Sequence, residues 1–437
     1  MTRCSRIPLV LALAAAALAS VFAGAAAAQG YRACTDTVDL GTPSDPRSAC
    51  EWWLADSYRD ASVLHYGTGA AALWPQSRGA GVTVAVVDTG VEPDHPDLLP
   101  NLLVNEGYDF WNKNSGEDDG YGHGTLVAGI IAAAEGNGGY VGVAPQAKIL
   151  PVKVMGPEGQ FSDAAADRGT LYAVRSSARI VNLSWGSFGA RVKGIQDALS
   201  LAAARDKLVV IAAGNHGADL DGHVDYAGES PNSVGYPTSL TVANLTWLNE
   251  LAPDSNYGRF HVQIAAPGSG IEGDYTGGWY GGGSGTSFAA PQVAGVSALL
   301  FSLYPQATAA QIRRALLVGG RKLPQLRGKV ECGCMVDAAG ALAAMATPDT
   351  TPPTAFRVTG PRSTLRVKRA STYTLRWSSA HDAELEGYKL VVDGRMIAAH
   401  PAATHLARFH LDPGEHTWRL VAYDLSGNDT PATISPT

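Results

Sequence analysis

The sequence predicts an α/β protein, three layers deep around a mostly parallel sheet, with a small all-β sandwich appended at its C-terminal end. Two observations carry that prediction. From Gly81 onward, short runs rich in β-branched residues alternate with longer Ala-rich runs of helical period. That is the pattern of parallel strands covered on both faces by helices. After Pro348 the period changes to two, with short strands and turn residues at even spacing, as in a two-sheet sandwich. The 437 residues have room for these units, and 46% apolar residues suffice for a large core.

The first residues stand outside this fold. Arg3 and Arg6 precede an apolar run from Ile7 to Gly24, and Ala26-Ala27-Ala28 before Gln29 fits an A-x-A cleavage site. Residues 1–28 therefore read as an export signal, with an uncleaved membrane anchor as the alternative, because the run nearly reaches bilayer-spanning length. No other stretch does so, and the mature chain is expected to be secreted and monomeric, without a membrane partner. Export makes Cys34, Cys50, Cys332 and Cys334 disulfide candidates, and four cysteines allow three pairings. Cys34–Cys50 is the simplest, closing a loop worth roughly 3 kcal/mol. Cys332-Gly-Cys334 would then be a tight ring or a thiol pair. The chain holds no CxxC or HExxH pattern to support zinc or haem.

In the α/β unit, Val82–Val87, Ile149–Val154, Ile180–Leu183 and Leu208–Ala212 read as buried strands. Gly124–Ala134, Ala164–Ser176, Val192–Ala204 and Phe288–Leu303 read as helices, and Ala310–Val318 and Val336–Met345 close the unit. Thr347-Pro-Asp-Thr-Thr-Pro-Pro-Thr354 has no apolar period and reads as a linker, from which few contacts between its flanking units are expected. Beyond it, Thr372–Trp377, Gly387–Val392, Ala407–Leu411 and His416–Tyr423 alternate apolar with polar residues. Trp377, Tyr388, Leu390, Trp418, Leu420 and Ala422 form the inward face. With Tyr423-x-x-x-Gly-Asn428, this run resembles fibronectin type III-like domains, and its final strand has to fit within Asp429–Thr437. The expected organisation is thus leader 1–28, N-terminal arm 29–50, α/β domain 51–346, linker 347–354 and sandwich 355–437.

A net charge of −7 leaves no basic field for nucleic acid. The chemistry lies in three segments. Val84-Ala-Val-Val-Asp88 sets a carboxylate at the carboxyl edge of a buried strand, where open α/β sheets place their ligands. Gly122-His123-Gly-Thr-Leu-Val-Ala-Gly129 opens a helix with an imidazole. Gly281-Gly-Gly-Ser-Gly285-Thr286-Ser287-Phe-Ala-Ala-Pro291 delivers a serine to the start of a long apolar helix, with proline tolerated in its first turn. Each alone has a bland reading: a turn, a helix cap, a flexible loop. No Lys follows the glycines, so a phosphate loop is excluded, and GxSxG is absent, which excludes the α/β-hydrolase elbow.

Together the three segments resemble the signatures of the subtilase family of serine peptidases: DTGVEPDHPDL, GHGTLVAGI and GTSFAAPQVAG in the chain order Asp, His, Ser. The resemblance runs from about Asp45 to Met345, and it implies a subtilisin-like fold and hydrolysis of polypeptides with no catalytic cofactor. Carried over one residue at a time, Ser287 matches the nucleophile, His123 the general base, Asp88 its orienting partner and Asn215 the side-chain donor to the oxyanion. Ser184, Trp185 and Gly186 match the segment that pairs with the substrate backbone. Gly235 matches the base of the primary specificity pocket, with Trp185 and Gly186 lining its edge, implying a preference for a bulky apolar residue there.

Asp97 matches a calcium-ligand position, and the loop around Asn137 would add carbonyls, although Gly136 stands where many relatives offer a side chain. Asp219, Asp221, Asp225 and Glu229 read either as a solvated acidic loop or as a further calcium site. Only ~20 residues separate the leader from the Asp45–Leu54 segment, too few for an independent core, so no folded prodomain is expected. A catalytically silent scaffold would require a replaced triad or oxyanion residue, and none is replaced. Transpeptidation through the same acyl-enzyme is a third reading. The sandwich is a candidate for binding a cell surface or large substrates.

Overall fold

The computed structural model describes residues 45–60, 63–114, 118–186, 193–221 and 233–436. The leader, Cys34, Asp225 and Glu229 lie outside these residues. Cys332 and Cys334 are joined to each other, and Cys50 is also disulfide-bonded.

The principal sheet has nine strands. In chain order it begins with β1 (Thr83–Asp88), β2 (Tyr108–Asp109), β3 (Lys148–Lys153), β4 (Ile180–Leu183), β5 (Leu208–Ala212), β6 (Ser239–Leu245) and β7 (Ile264–Pro267). A separate two-stranded hairpin follows, β8 (Ile271–Tyr275) with β9 (Trp279–Gly283), and then β10 (Arg321–Lys322) and β11 (Cys334–Met335) close the principal sheet. Its order is β10-β11-β7-β6-β5-β4-β1-β3-β2, parallel except where β10 meets β11. Ser239–Leu245 and Ile264–Pro267 are strands that the sequence reading did not single out.

Alternation along each strand supplies two cores. Val84 and Val86 of β1 face one side, together with Ile149, Ile180, Val210 and Val242, and pack on α2 (His123–Ala132) and α5 (Thr286–Leu303), α1 being the short helix Ala70–Leu73. Ala85 and Val87 face the other side with Val152, Val181 and Ile211, and pack on α3 (Asp163–Arg175) and α4 (Lys193–Ala204). The helix α5 is long and apolar enough to cross a membrane, but 83% of it is buried within the protein. Two further helices, α6 (Ala309–Gly319) and α7 (Ala338–Met345), complete the unit.

The C-terminal region forms a sandwich of a four-stranded and a five-stranded sheet. All six residues expected on its inward face lie in one buried cluster. Its last strand, Thr433–Pro436, pairs in parallel with Arg357–Gly360, so the short C-terminal segment suffices.

The expectation of an independent module fails. Arg313, wholly buried on α6, binds Glu386 of the sandwich through both terminal nitrogens at 2.9 and 2.7 Å and gives its Nε–H to the Ser239 carbonyl at 2.8 Å. Arg314 grips Glu384 through Nε and one terminal nitrogen at 2.7 and 2.6 Å, and its other terminal nitrogen donates to the Thr347 carbonyl of the linker. Arg395 pairs with Asp197 of α4. The sandwich strand Gly414–Asp424 shows the consequence: Leu420, Val421, Ala422, Tyr423 and Asp424 are all buried. One face packs inward and the other packs on the α/β unit.

Candidate active site

Asp88 ends β1 at the switch point of the sheet, where β3 and β4 diverge to either side, and it is wholly buried. Its Oδ1 accepts the Thr89 N–H at 2.8 Å and lies 2.7 Å from His123 Nδ1. His123 is the first residue of α2. The approach is close because Gly124 follows it: a β-carbon there would stand 2.1 Å from the Gly90 carbonyl. Asp119 holds the helix start, accepting N–H groups of Tyr121, Gly122 and Thr125 and the Thr125 hydroxyl. The Phe288 ring lies beside the imidazole, with centroids 5.4 Å apart. Burial opposes charging of His123, but the Asp88 carboxylate and its hydrogen bond outweigh it, and the pKa is raised above the ordinary imidazole value.

Ser287 lies in the first turn of α5. Its hydroxyl donates to the Ser184 carbonyl at 2.9 Å, while the Ser184 hydroxyl donates to the Ser287 carbonyl at 2.8 Å. Asn215, exposed just beyond β5, has its amide orientation fixed by Thr286, whose N–H and hydroxyl donate to Asn215 Oδ1 at 2.8 and 2.9 Å. Its NH2 group is thereby turned toward Gly285, where a β-carbon would come within 3.1 Å of Nδ2. The sequence did not reveal the parts played by Asp119, Thr286 and Phe288. Asp119 stands just before the His123 segment, and Thr286 and Phe288 flank Ser287 within its own.

Three expectations are corrected. Trp185 does not line a cleft: its indole is buried against Phe161 and donates to the Val87 carbonyl at 2.8 Å, so only the backbone of Ser184–Gly186 is available for pairing. Gly235 is covered by the sandwich: a β-carbon there would lie 2.5 Å from Met396 Sδ and 2.6 Å from Ala399 Cβ. The space over Gly235 therefore belongs to the domain interface and not to a substrate side chain.

The third correction concerns Asn137 and its loop, which present N–H groups where calcium would need oxygens. Gly136, Asn137 and Gly138 donate to the Asp45 carboxylate, Tyr140 donates to Asp97 Oδ2, and the Asn137 side chain donates to the Pro96 carbonyl. This donor set does not fit calcium. Asp221 likewise is taken up by His261 and by the amides of 260 and 261, which lowers its pKa against the effect of burial.

A buried parallel sheet carrying an Asp–His pair, with a serine at a helix start and an amide beside it, defines the class of subtilisin-like serine proteases. Residues 79–325 match the subtilase family (Peptidase S8), and the chain belongs to that family. It is 37% identical to thermitase of Thermoactinomyces vulgaris over 262 residues, 60% of this chain and 86% of that protein. Identity to subtilisin Savinase of Lederbergia lenta is also 37%, over 54% of this chain and 82% of that protein. Among solved structures, a protease of Pseudoalteromonas arctica superposes with a TM-score of 0.60 at 31% identity, covering 70% of this chain and 99% of that one. The chain is a serine protease acting on polypeptides.

Proposed function

We propose that the chain is a secreted endopeptidase in which Ser287, His123 and Asp88 cleave peptide bonds through an acyl-enzyme, and Asn215 stabilises the oxyanion. The observation that carries this reading is the 2.7 Å contact between His123 Nδ1 and Asp88. It commits Nδ1–H to the carboxylate and leaves Nε2 as the free base. Ser287 must turn its hydroxyl from the Ser184 carbonyl toward Nε2 before it can attack, a tightening expected on substrate binding. The Ser287 oxygen then bonds to the carbonyl carbon, its proton passes to His123, and the carbonyl oxygen becomes an anion. Asn215 NH2 and the Ser287 N–H receive that anion, and the start of α5 favours it through its dipole. His123 returns the proton to the leaving amine, and water repeats the sequence on the acyl-enzyme.

An extended substrate would pair with the backbone of Ser184–Gly186. A bulky apolar residue on the acyl side remains part of the proposal, resting now on exposed Gly186 rather than on Gly235 or Trp185. Export rests on the leader sequence. Incubating a denatured protein with the chain and sequencing the new termini tests the reading. Internal cleavage is expected, and it must vanish in Ser287→Ala. Release of terminal residues only, or transfer of acyl groups to added amines in place of hydrolysis, would overturn it.

A further inference from the structure

Charge is divided unevenly along the chain. Residues 355–437 carry ten Lys and Arg against eight Asp and Glu, a net +2 in a protein whose total is −7. Two of those eight acids, Glu384 and Glu386, are taken up by Arg314 and Arg313 of the α/β unit. The sandwich docks through its five-stranded sheet, which supplies Glu386, Arg395, Met396 and Ala399 to the interface.

The four-stranded sheet has its outer face open to solvent. Its strands are β12 (Arg357–Gly360), β13 (Ser371–Trp377), β14 (Leu406–Leu411) and β15 (Thr433–Pro436), in the order β14-β13-β12-β15. Arg357, Thr359, Thr374, Arg376 and Arg408 are all exposed on that face, while Val358, Leu375, Trp377 and Phe409 point into the core. Register sets the pattern of charge. Arg376 stands opposite Thr359 on one side and Leu406 on the other. Arg357 and Arg408 each lie two residues from those partners, in opposite directions, so the three arginines fall on one diagonal. Diagonal neighbours on a sheet face are about 7–8 Å apart, which makes a cationic line roughly 15 Å long.

Nothing in the protein neutralises this line. The four strands contain no Asp or Glu. Lys389 and Arg395 of the other sheet each pair with an aspartate, whereas among the described residues Arg357, Arg376 and Arg408 pair with none. Charges that only guard a sheet against edge pairing belong on edge strands, yet Arg357 and Arg376 stand on the two central ones.

Guanidinium groups match the oxygen forks of carboxylate and phosphate, and sulfate presents the same fork. A polypeptide partner would want an apolar pocket or a free strand edge, and single-stranded nucleic acid would want exposed rings for its bases. The face has neither pocket nor ring: Tyr373, Trp377 and Phe409 pack inward, and threonine hydroxyls flank the arginines. A hydroxyl-rich polymer with anionic groups at intervals fits what is present. We propose that the Arg357–Arg376–Arg408 line is a docking surface for an extended anionic polysaccharide. It concerns the sandwich alone and stands whether or not the catalytic assignment holds.

The test is binding of the full chain, blocked with a fluorophosphonate, to dextran sulfate and to neutral dextran of the same length. Dextran sulfate should bind and dextran should not. The logarithm of the binding constant should fall with the logarithm of salt concentration at a slope of about 2–3, as three contacts release counterions from a polyanion. Arg376→Gln combined with Arg408→Gln should weaken binding by about 10-fold and reduce the slope to about 1. Arg366→Gln combined with Arg419→Gln removes the same charge from exposed positions of the five-stranded sheet and should leave binding unchanged. The proposal is wrong if dextran sulfate binds no better than dextran, or if both double variants weaken it equally, because the chain then responds only to its overall charge. Tighter binding at the same salt to oligothymidylate or to phosphatidylglycerol vesicles, lost in the Arg376→Gln, Arg408→Gln variant, would give the face to nucleic acid or to a membrane and overturn it as well.

Discussion

The catalytic cleft and the face between the two domains each bury a charged pair, Asp88 with His123 and Arg313 with Glu386, yet they are built on opposite terms. In the cleft, His123 keeps 16% of its side chain exposed to solvent, and the strand, helix and glycine that set the distance lie beside the reacting residues in sequence. At the interface, Arg313 is wholly buried and its partner lies 73 residues away, on a domain that the sequence marks as separate. The first arrangement serves chemistry that must change charge. The second holds a charge that can never leave.

The interface predicts the largest effect on stability. Removing one partner of a buried pair costs about 3–5 kcal/mol, so Glu386→Ala should lower the unfolding free energy by about that amount in a denaturant titration. A chain ending near Pro348 loses Glu384 and Glu386 together and should fail to give a cooperative transition. A truncated chain as stable as the full one would dissolve the contrast. Replacing Arg313 and Glu386 together by apolar residues sharpens it: little loss is expected, because the desolvation penalty disappears along with the attraction.

The cleft predicts an effect on rate alone. Asn215→Ala should lower kcat by about 10²–10³, or roughly 2.7–4 kcal/mol in the transition state, with KM nearly unchanged. Steady-state kinetics on a small peptide would read this, and a change confined to KM would place Asn215 outside the oxyanion hole.

pH should separate the two regions further. Activity requires neutral His123, whose pKa is raised, so the acid limb of kcat/KM should have its midpoint above the ordinary imidazole value. Asp88→Asn should move that midpoint downward. At the interface, burial and the Glu386 charge push Glu331 up from 4.5 to about 8, against the pull of Arg313. The folded state then holds a proton that the unfolded chain releases, so stability should fall as pH rises between these values. Glu331→Gln should flatten the slope. Rising activity with falling stability is the expected pair of curves.

The smallest effect concerns substrate choice. Discrimination among apolar residues on the acyl side should amount to about 1–3 kcal/mol per methylene at most, measured with a peptide series. A strong preference for Lys or Arg would contradict it.

The difference in what could be read from the sequence follows the same line. Asp88, His123 and Ser287 were legible because each sits in a run whose neighbours also matter: Gly124 for close approach, Gly285 for the space beside Asn215, Pro291 inside the first turns of α5. The inward face of the sandwich was legible through its period of two. Its docking face was not, although Leu420-Val-Ala-Tyr-Asp424 breaks that period with a continuous buried run, and such a run signals a strand covered on both sides. Arg313 and Arg314 carried no sign of a partner in the sequence, and only the fold brings Glu384 and Glu386 over them. Gly235 was misassigned for a related reason: a glycine records that something approaches closely, not what approaches.

The central claim is that Ser287 is the nucleophile activated by His123. It is tested most directly by labelling the full chain with a fluorophosphonate and locating the adduct by mass spectrometry. One label per chain on Ser287, lost in His123→Ala as well as in Ser287→Ala, is the result expected. Stoichiometric labelling of another residue, or of a Ser287→Ala chain that still cleaves protein, would contradict it.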